Sequence, residues 1–126
     1  MKLSNLLWAA VLILCTQIAC TSDNKTNEAD IVGQWNIAEA TRNGKPTESL
    51  AKLFFEFQPD GKMRTNILGA ATDATYKLSN NQVLQRESDM DIDYDVEQLT
   101  DSVLIMSTEL RGYAFRFILN RVVAEE

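Results

Sequence analysis

Six carboxylates alternate along one stretch of the chain, Glu87-x-Asp89-x-Asp91-x-Asp93-x-Asp95-x-Glu97. An Asp-x-Asp-x-Asp core invites a calcium reading, because hard cations take carboxylate oxygens. The residues between them argue the other way. Ser88, Met90, Ile92, Tyr94 and Val96 are mostly apolar, and no glycine is present to turn a calcium loop. The stretch therefore reads as a strand with one wet and one dry face. Alternate side chains on a strand stand about 6.6–7 Å apart and parallel, so they do not converge on one ion at about 2.4 Å. Asp89, Asp91, Asp93, Asp95 and Glu97 are expected to form a solvated acidic face, with Lys77, Arg86, Arg111 and Arg116 available on other strands to oppose it. No metal site and no cofactor are expected.

Other chemistry is limited by what the chain lacks. There is no histidine, which removes Ser-His-Asp and Cys-His catalysis, imidazole-ligated zinc and the commonest general base near neutral pH. The two cysteines, Cys15 and Cys20, both lie near the N-terminus, so nothing beyond residue 20 can form a disulfide, act as a thiolate nucleophile or bind metal through sulfur. There is no glycine-rich phosphate loop, no basic-aromatic patch and no carboxylate pair in a recognisable catalytic context. No catalytic residue is nominated, and the protein is expected not to be an enzyme. The net charge of −6 disfavours nucleic acid and suits solubility or a basic partner.

The N-terminus carries an address. Lys2 precedes an apolar run from Leu6 to Leu14, followed by Thr16-Gln17-Ile18-Ala19-Cys20. A run this short does not span a hydrocarbon core, which needs about 20 residues, so it reads as a secretory signal. Ile18-Ala19-Cys20 resembles the lipobox of bacterial lipoproteins, although Gln17 stands where that motif usually has Leu. The resemblance implies removal of residues 1–19, a diacylglycerol thioether on Cys20 and acylation of the new N-terminus with a fatty acid such as palmitate. Ordinary signal cleavage is the alternative, but of the small residues it wants before the cut only Ala19 is present. Loss of Lys2 with the leader moves the net charge from −6 to −7 and leaves 107 residues, enough for one domain. Residues 20–30, from the lipidated cysteine to Asp30, are polar and read as a flexible tether. Residues 31–122 form the domain, and 123–126 a tail.

Within the domain, short runs of β-branched and aromatic residues alternate with turn signals, which predicts an all-β fold. Eight strands are expected over 31–41, 53–58, 62–68, 72–78, 82–86, 90–99, 103–109 and 113–122. Asn43-Gly44-Lys45-Pro46 ends the first, and Thr47 is placed to cap one helical turn over 47–52 that would close one end of the fold. Pro59-Asp60-Gly61 makes a hairpin. Short turns throughout predict an eight-stranded antiparallel up-and-down barrel, with a β-sandwich as the alternative.

Period-two alternation collects Trp35, Ile37, Phe55, Phe57, Met63, Ile67, Tyr76, Leu84, Met90, Ile92, Tyr94, Val96, Leu104, Met106, Tyr113, Phe115, Phe117 and Leu119 on the interior face. Glu39 and Thr65 share that parity and are placed at a barrel mouth. A filled core is favoured over a ligand-sized cavity. If a cavity exists, its candidate lining is Ile37, Glu39, Phe55, Phe57, Met63, Thr65, Tyr76, Tyr94, Met106, Tyr113, Phe115 and Phe117.

Gly33-x-Trp35, Asn43-Gly44-Lys45, Phe55-x-Phe57-x-Pro59-Asp60-Gly61, Tyr76-Lys77-Leu78, Val96-Glu97-Gln98-Leu99-Thr100 and Phe117-Ile118-Leu119-Asn120-Arg121-Val122 occur in this order. In that order they resemble the bacterial lipocalin-like domain lipoproteins, over about Ile31 to Val122. The resemblance implies a lipocalin-like barrel in which Gly33 and Trp35 plug one end, with Arg121 against the indole. Such a pair would be structural. The expected protein is a monomeric, non-enzymatic lipoprotein of the bacterial cell envelope, held at a membrane surface through Cys20, with a small apolar molecule as candidate ligand. Thr21, which replaces the Asp that retains some lipoproteins at the inner membrane, favours the outer one. The alternative is an inhibitor or assembly factor whose acidic strand meets a basic protein. A third reading is an acid-base enzyme using Glu39.

Overall fold

The computed structural model describes residues 28–123. The expected leader, Cys20, the tether up to residue 27 and residues 124–126 lie outside the described residues. The described residues open with a short helix, α1 (Glu28–Ile31), which takes up the last residues of the stretch expected to be a tether. Nine strands follow: β1 (Gly33–Arg42), β2 (Lys45–Pro46), β3 (Phe54–Phe57), β4 (Lys62–Thr65), β5 (Thr72–Ser79), β6 (Gln82–Arg86), β7 (Ile92–Leu99), β8 (Val103–Leu110) and β9 (Tyr113–Arg121).

Each strand from β3 to β8 pairs antiparallel with the next, and β1 pairs with both β3 and β9. That last pairing closes an eight-stranded barrel and leaves the sandwich aside. β2 is the exception: its two residues pair with Thr41 and Arg42 and only extend one edge of β1. Two of the connections between barrel strands are tight hairpins built on a pair of residues at positive φ. Asn80 and Asn81 (φ 53° and 63°) join β5 to β6, and Arg111 with Gly112 (φ 55° and 87°) joins β8 to β9. Two adjacent residues at positive φ give the turn whose twist matches that of the flanking strands.

The up-and-down order sends alternate connections to opposite ends. One end holds α1 and the β3–β4, β5–β6 and β7–β8 turns. The other holds residues 43–53 and 66–71, the bend 87–91 and the β8–β9 turn.

The core is a chain of aromatic rings inside the barrel. Phe55 meets Tyr94 edge-on at 5.3 Å between centroids, Phe57 meets Tyr76 at 4.9 Å, and Phe117 lies 6.1 Å from both Phe55 and Phe115. Burying each such side chain is worth roughly 1.5–3 kcal/mol. The phenols take internal acceptors, Tyr76 Oη donating to the Gln58 carbonyl at 2.7 Å and Tyr94 Oη to Gln85 Oε1 at 2.6 Å.

Four expectations are corrected. First, Glu39 points outward. A β-bulge between Ile37 and Glu39 shifts the register against β9, so the buried residue beyond it is Ala40. Second, Leu84 is only half-buried and on the outer face. Its partner is the exposed Lys77, whereas Gln85 sits opposite buried Tyr76 and is itself fully buried. Third, three strands depart from the pattern by two residues or more: β4 stops at Thr65 where extended chain is expected to 68, and β1 and β7 start two residues late. Ile31 ends α1, and 87–91 is a bend with Glu87 at φ 61°, so β7 begins at Ile92. Fourth, residues 47–52 make successive turns, Ala51 N–H to the Glu48 carbonyl at 3.2 Å and Leu53 N–H to the Leu50 carbonyl at 3.1 Å. Thr47 Oγ1 does accept the Ser49 N–H, at 3.2 Å, but three-residue spacing winds tighter than an α-helix.

Candidate functional site

The two ends of the barrel are built differently. At the end holding α1, the Arg121 guanidinium lies 4.3 Å from the Trp35 ring centroid. Its three nitrogens donate at 2.7 Å each to the backbone carbonyls of Asp101, Val32 and Asp30. Trp35 is fully buried and donates its Nε1–H to the Ile31 carbonyl at 2.9 Å. The pair thus ties α1 and the β7–β8 turn across the barrel mouth. Gly33 makes room for it: a Cβ there would stand 2.7 Å from Arg121 Nη1, and φ is +134°. Every donor named here has an acceptor, so this end is a structural closure.

The opposite end is open. A cup of about 460 Å³ is lined by Arg42, Ser49, Leu50, Lys52, Leu53, Asn66, Ile67, Leu68, Gly69, Leu110, Arg111, Tyr113, Phe115 and Phe117. Leu53, Ile67, Leu110 and Phe117 are buried and form its floor; Tyr113, 44% exposed, stands at the lip. Arg42 lies over the Tyr113 ring at 5.0 Å. Asn66 braces the wall, Nδ2 donating to the Lys52 carbonyl at 2.9 Å and Oδ1 accepting the Phe54 N–H at 3.0 Å.

Of the residues proposed to line a cavity, Tyr113, Phe115 and Phe117 line this cup. Phe55, Phe57, Met63, Tyr76, Tyr94 and Met106 are packed in the core, and Ile37 is half-buried against it. Thr65 is buried and satisfied by backbone, its hydroxyl donating to the Phe54 carbonyl at 2.8 Å. Glu39 is exposed. The remaining lining residues lie on loops and strand ends, which strand alternation does not sort. Their signal was weaker but present: Leu50, Leu53 and Leu68 are apolar residues in or beside turns, where solvated loops seldom carry them.

The acidic row is largely answered from within the molecule. Arg86 Nη1 meets Asp93 at 2.8 Å, its Nε lies 3.8 Å from Asp91, and Gln82 Nε2 donates to Asp95 at 2.8 Å. Arg116 Nε donates to Glu97 at 2.9 Å, and this hydrogen bond holds the Glu97 carboxyl below its ordinary range. Asp89 lies in the bend before β7 and is exposed. Among the described residues no three His, Cys, Asp or Glu side chains converge as a metal site would require. Deeper in, Tyr94, Gln85 and Ser88 form a buried polar chain that ends on the Met90 carbonyl. Burial pushes the Tyr94 phenol well above its ordinary value, which keeps it a neutral donor.

Neither a protein-family model nor a curated protein matches the sequence. Among solved structures, the bovine lipocalin allergen Bos d 2 superposes with a TM-score of 0.52 over 80% of this chain and 79% of that one, at 12% identity. The fold is lipocalin-like. In this lipocalin-like barrel the rings of Phe55, Phe57 and Tyr94 occupy the middle of the interior, so the space left for a guest lies at the open end.

Proposed function

We propose that the protein is a lipid-anchored lipoprotein of the bacterial cell envelope, on the outer membrane, that binds a small apolar molecule in the open-end cup and performs no chemistry on it. The cup carries this reading. Its volume of about 460 Å³ falls in the range of about 300–1,000 Å³ usual for small-molecule sites. Its floor is apolar, and the serine hydroxyl among its lining residues, Ser49 Oγ, pairs with Thr47 Oγ1 at 2.9 Å, which is not a base. A fixed fold around a concave apolar surface fits a binding module. The competing reading, a basic protein docking on the acidic strand, is weakened by Arg86, Gln82 and Arg116, which already occupy most of that row.

The neutral probe N-phenyl-naphthylamine, which fluoresces in apolar surroundings, tests the cup. Fluorescence should rise on adding protein and fail to rise with Leu50→Trp, which fills the cup from its half-buried wall. An unchanged signal with the wild-type chain would remove the binding reading. The anchor is tested separately: Cys20→Ser should free the protein from membranes, and a variant that stays bound after a salt wash would refute lipidation there.

A further inference from the structure

We infer that the cup selects an anionic amphiphile, a single apolar chain ending in a carboxylate or phosphate, over neutral or cationic molecules of the same length. This rests on the cup being the ligand site. The chain carries 18 acidic against 12 basic residues, yet the charged residues lining the cup are Arg42, Lys52 and Arg111, with no Asp or Glu among them. Glu48 is the sequence neighbour of lining Ser49 but does not line the cup, and neither do the carboxylates of the bend 87–91.

The arginines sharpen the point. The chain has six, and four are committed elsewhere: Arg64 to Asp73, Arg86 to Asp91 and Asp93, Arg116 to Glu97, and Arg121 to three carbonyls. The other two are Arg42 and Arg111. Among the described residues, neither they nor Lys52 has a carboxylate within 4.0 Å. Arg42 is steadied by the Tyr113 ring, whose centroid lies 5.0 Å from its Cζ, and among the described residues no carboxylate competes for its donors. A guest whose tail rests on Phe117, Leu53 and Leu110 would bring its head group to this exposed rim. An anion there meets three cations that have no ion-pair partner among the described residues, and no carboxylate in the lining; at a mouth in water the attraction is modest and screened by salt.

The experiment is calorimetric titration with decanoate, decyl phosphate, decanol and decylammonium, all below their micelle concentrations. Exposed ion pairs of about 0.2–1 kcal/mol correspond to roughly 1.4- to 5-fold each, so at low salt decanoate and decyl phosphate should bind about tenfold tighter than decanol, and decylammonium weaker still. The triple variant Arg42→Gln/Lys52→Gln/Arg111→Asn should bring the anions down to the level at which the same variant binds decanol; Asn suits the positive φ of 55° at position 111. Equal binding of decanol and decanoate would overturn the head-group inference while the cup reading stands. Binding of none of the four would remove both. The final arm separates a free amphiphile from a membrane surface: protein that gains affinity for phosphatidylglycerol over phosphatidylcholine vesicles, without binding decanoate or decyl phosphate, would assign the three cations to lipid head groups and overturn the inference.

Discussion

Both ends of this barrel set an arginine against an aromatic ring, and the two pairs do opposite things. Arg121 lies over buried Trp35 and spends its nitrogens on three carbonyls, those of Asp30 in α1, Val32 just after it and Asp101 in the β7–β8 turn. Arg42 lies over Tyr113, an exposed ring, with no carboxylate within 4.0 Å among the described residues. Ring and cation are similar in the two places. What differs is the number of acceptors around the guanidinium and whether water reaches the ring. A cation whose three nitrogens each bond a carbonyl, over a fully buried ring, holds structure together; one left with free donors at a wet rim is available to something else. Stability should therefore be concentrated at the closed end, and ligand effects at the open one.

The largest expected effect tests the closed end directly. Trp35→Ala removes a fully buried indole and the surface on which Arg121 rests, and should cost about 3–5 kcal/mol in chemical denaturation. A cost below about 1 kcal/mol would mean that the closure is not structural. Next comes Arg121→Gln, which leaves the ring in place but strips the carbonyls of Asp30, Val32 and Asp101 of charged donors. Because Arg121 is only half-buried, water recovers part of the loss, and the expected cost is about 2–3 kcal/mol.

The closed end was far more legible in the sequence than the open one. Trp35 lies on a strand and could be placed inside by alternation alone; its pairing with Arg121 came through a resemblance carried by Gly33-x-Trp35 and the last strand. Seven of the eight strands end within two residues of the expected bounds because their turns are local chemistry: Pro59-Asp60-Gly61, Asn80-Asn81 and Arg111-Gly112 each mark themselves. The cup, by contrast, is made by loops from distant parts of the chain meeting at one end. Leu50, Leu68 and Leu110 share no period, so no local pattern joins them. The errors have the same root. The bulge that turns Glu39 outward and the pairing that buries Gln85 in place of Leu84 are properties of register between strands. A short alternating segment does not encode register by itself. Gln85 is tolerable inside only because Tyr94 and Ser88 meet its two ends, and those partners are settled by the fold.

The wall between the two ends supplies a smaller effect with a pH signature. Arg116 donates to Glu97 and keeps its carboxyl below the ordinary range. A carboxyl with a lowered folded value stabilises the protein above its unfolded value, about 4.3, and that contribution disappears as pH falls through the folded value. Both side chains are partly exposed, so the pair is worth at most about 1 kcal/mol. Glu97→Gln should lower stability by that amount near pH 7 and by nothing at low pH. Combined with Trp35→Ala it should add without coupling, since the two sites share no partner. Coupling of more than about 0.5 kcal/mol would tie the acidic wall to the closed end.

The smallest expected effect is the most discriminating one. Arg42→Gln removes a guanidinium from an aromatic ring, as Arg121→Gln does, and a purely geometric view would predict similar costs. The surroundings say otherwise. Tyr113 is 44% exposed, so water can replace the cation on its face, and no described hydrogen bond from the Arg42 side chain is lost with it. Exposed pairs of this kind contribute about 0.5–1 kcal/mol at most, and substitutions at such surface positions commonly stay within about 0.5 kcal/mol. Arg42→Gln should thus leave the denaturation midpoint nearly unchanged, while Arg121→Gln shifts it clearly. If the two variants were equally destabilised, the open end would be a second structural closure and its rim cations would already be committed. If Arg42→Gln is silent in unfolding, then any loss of decanoate affinity in the same variant reports on the rim charge itself.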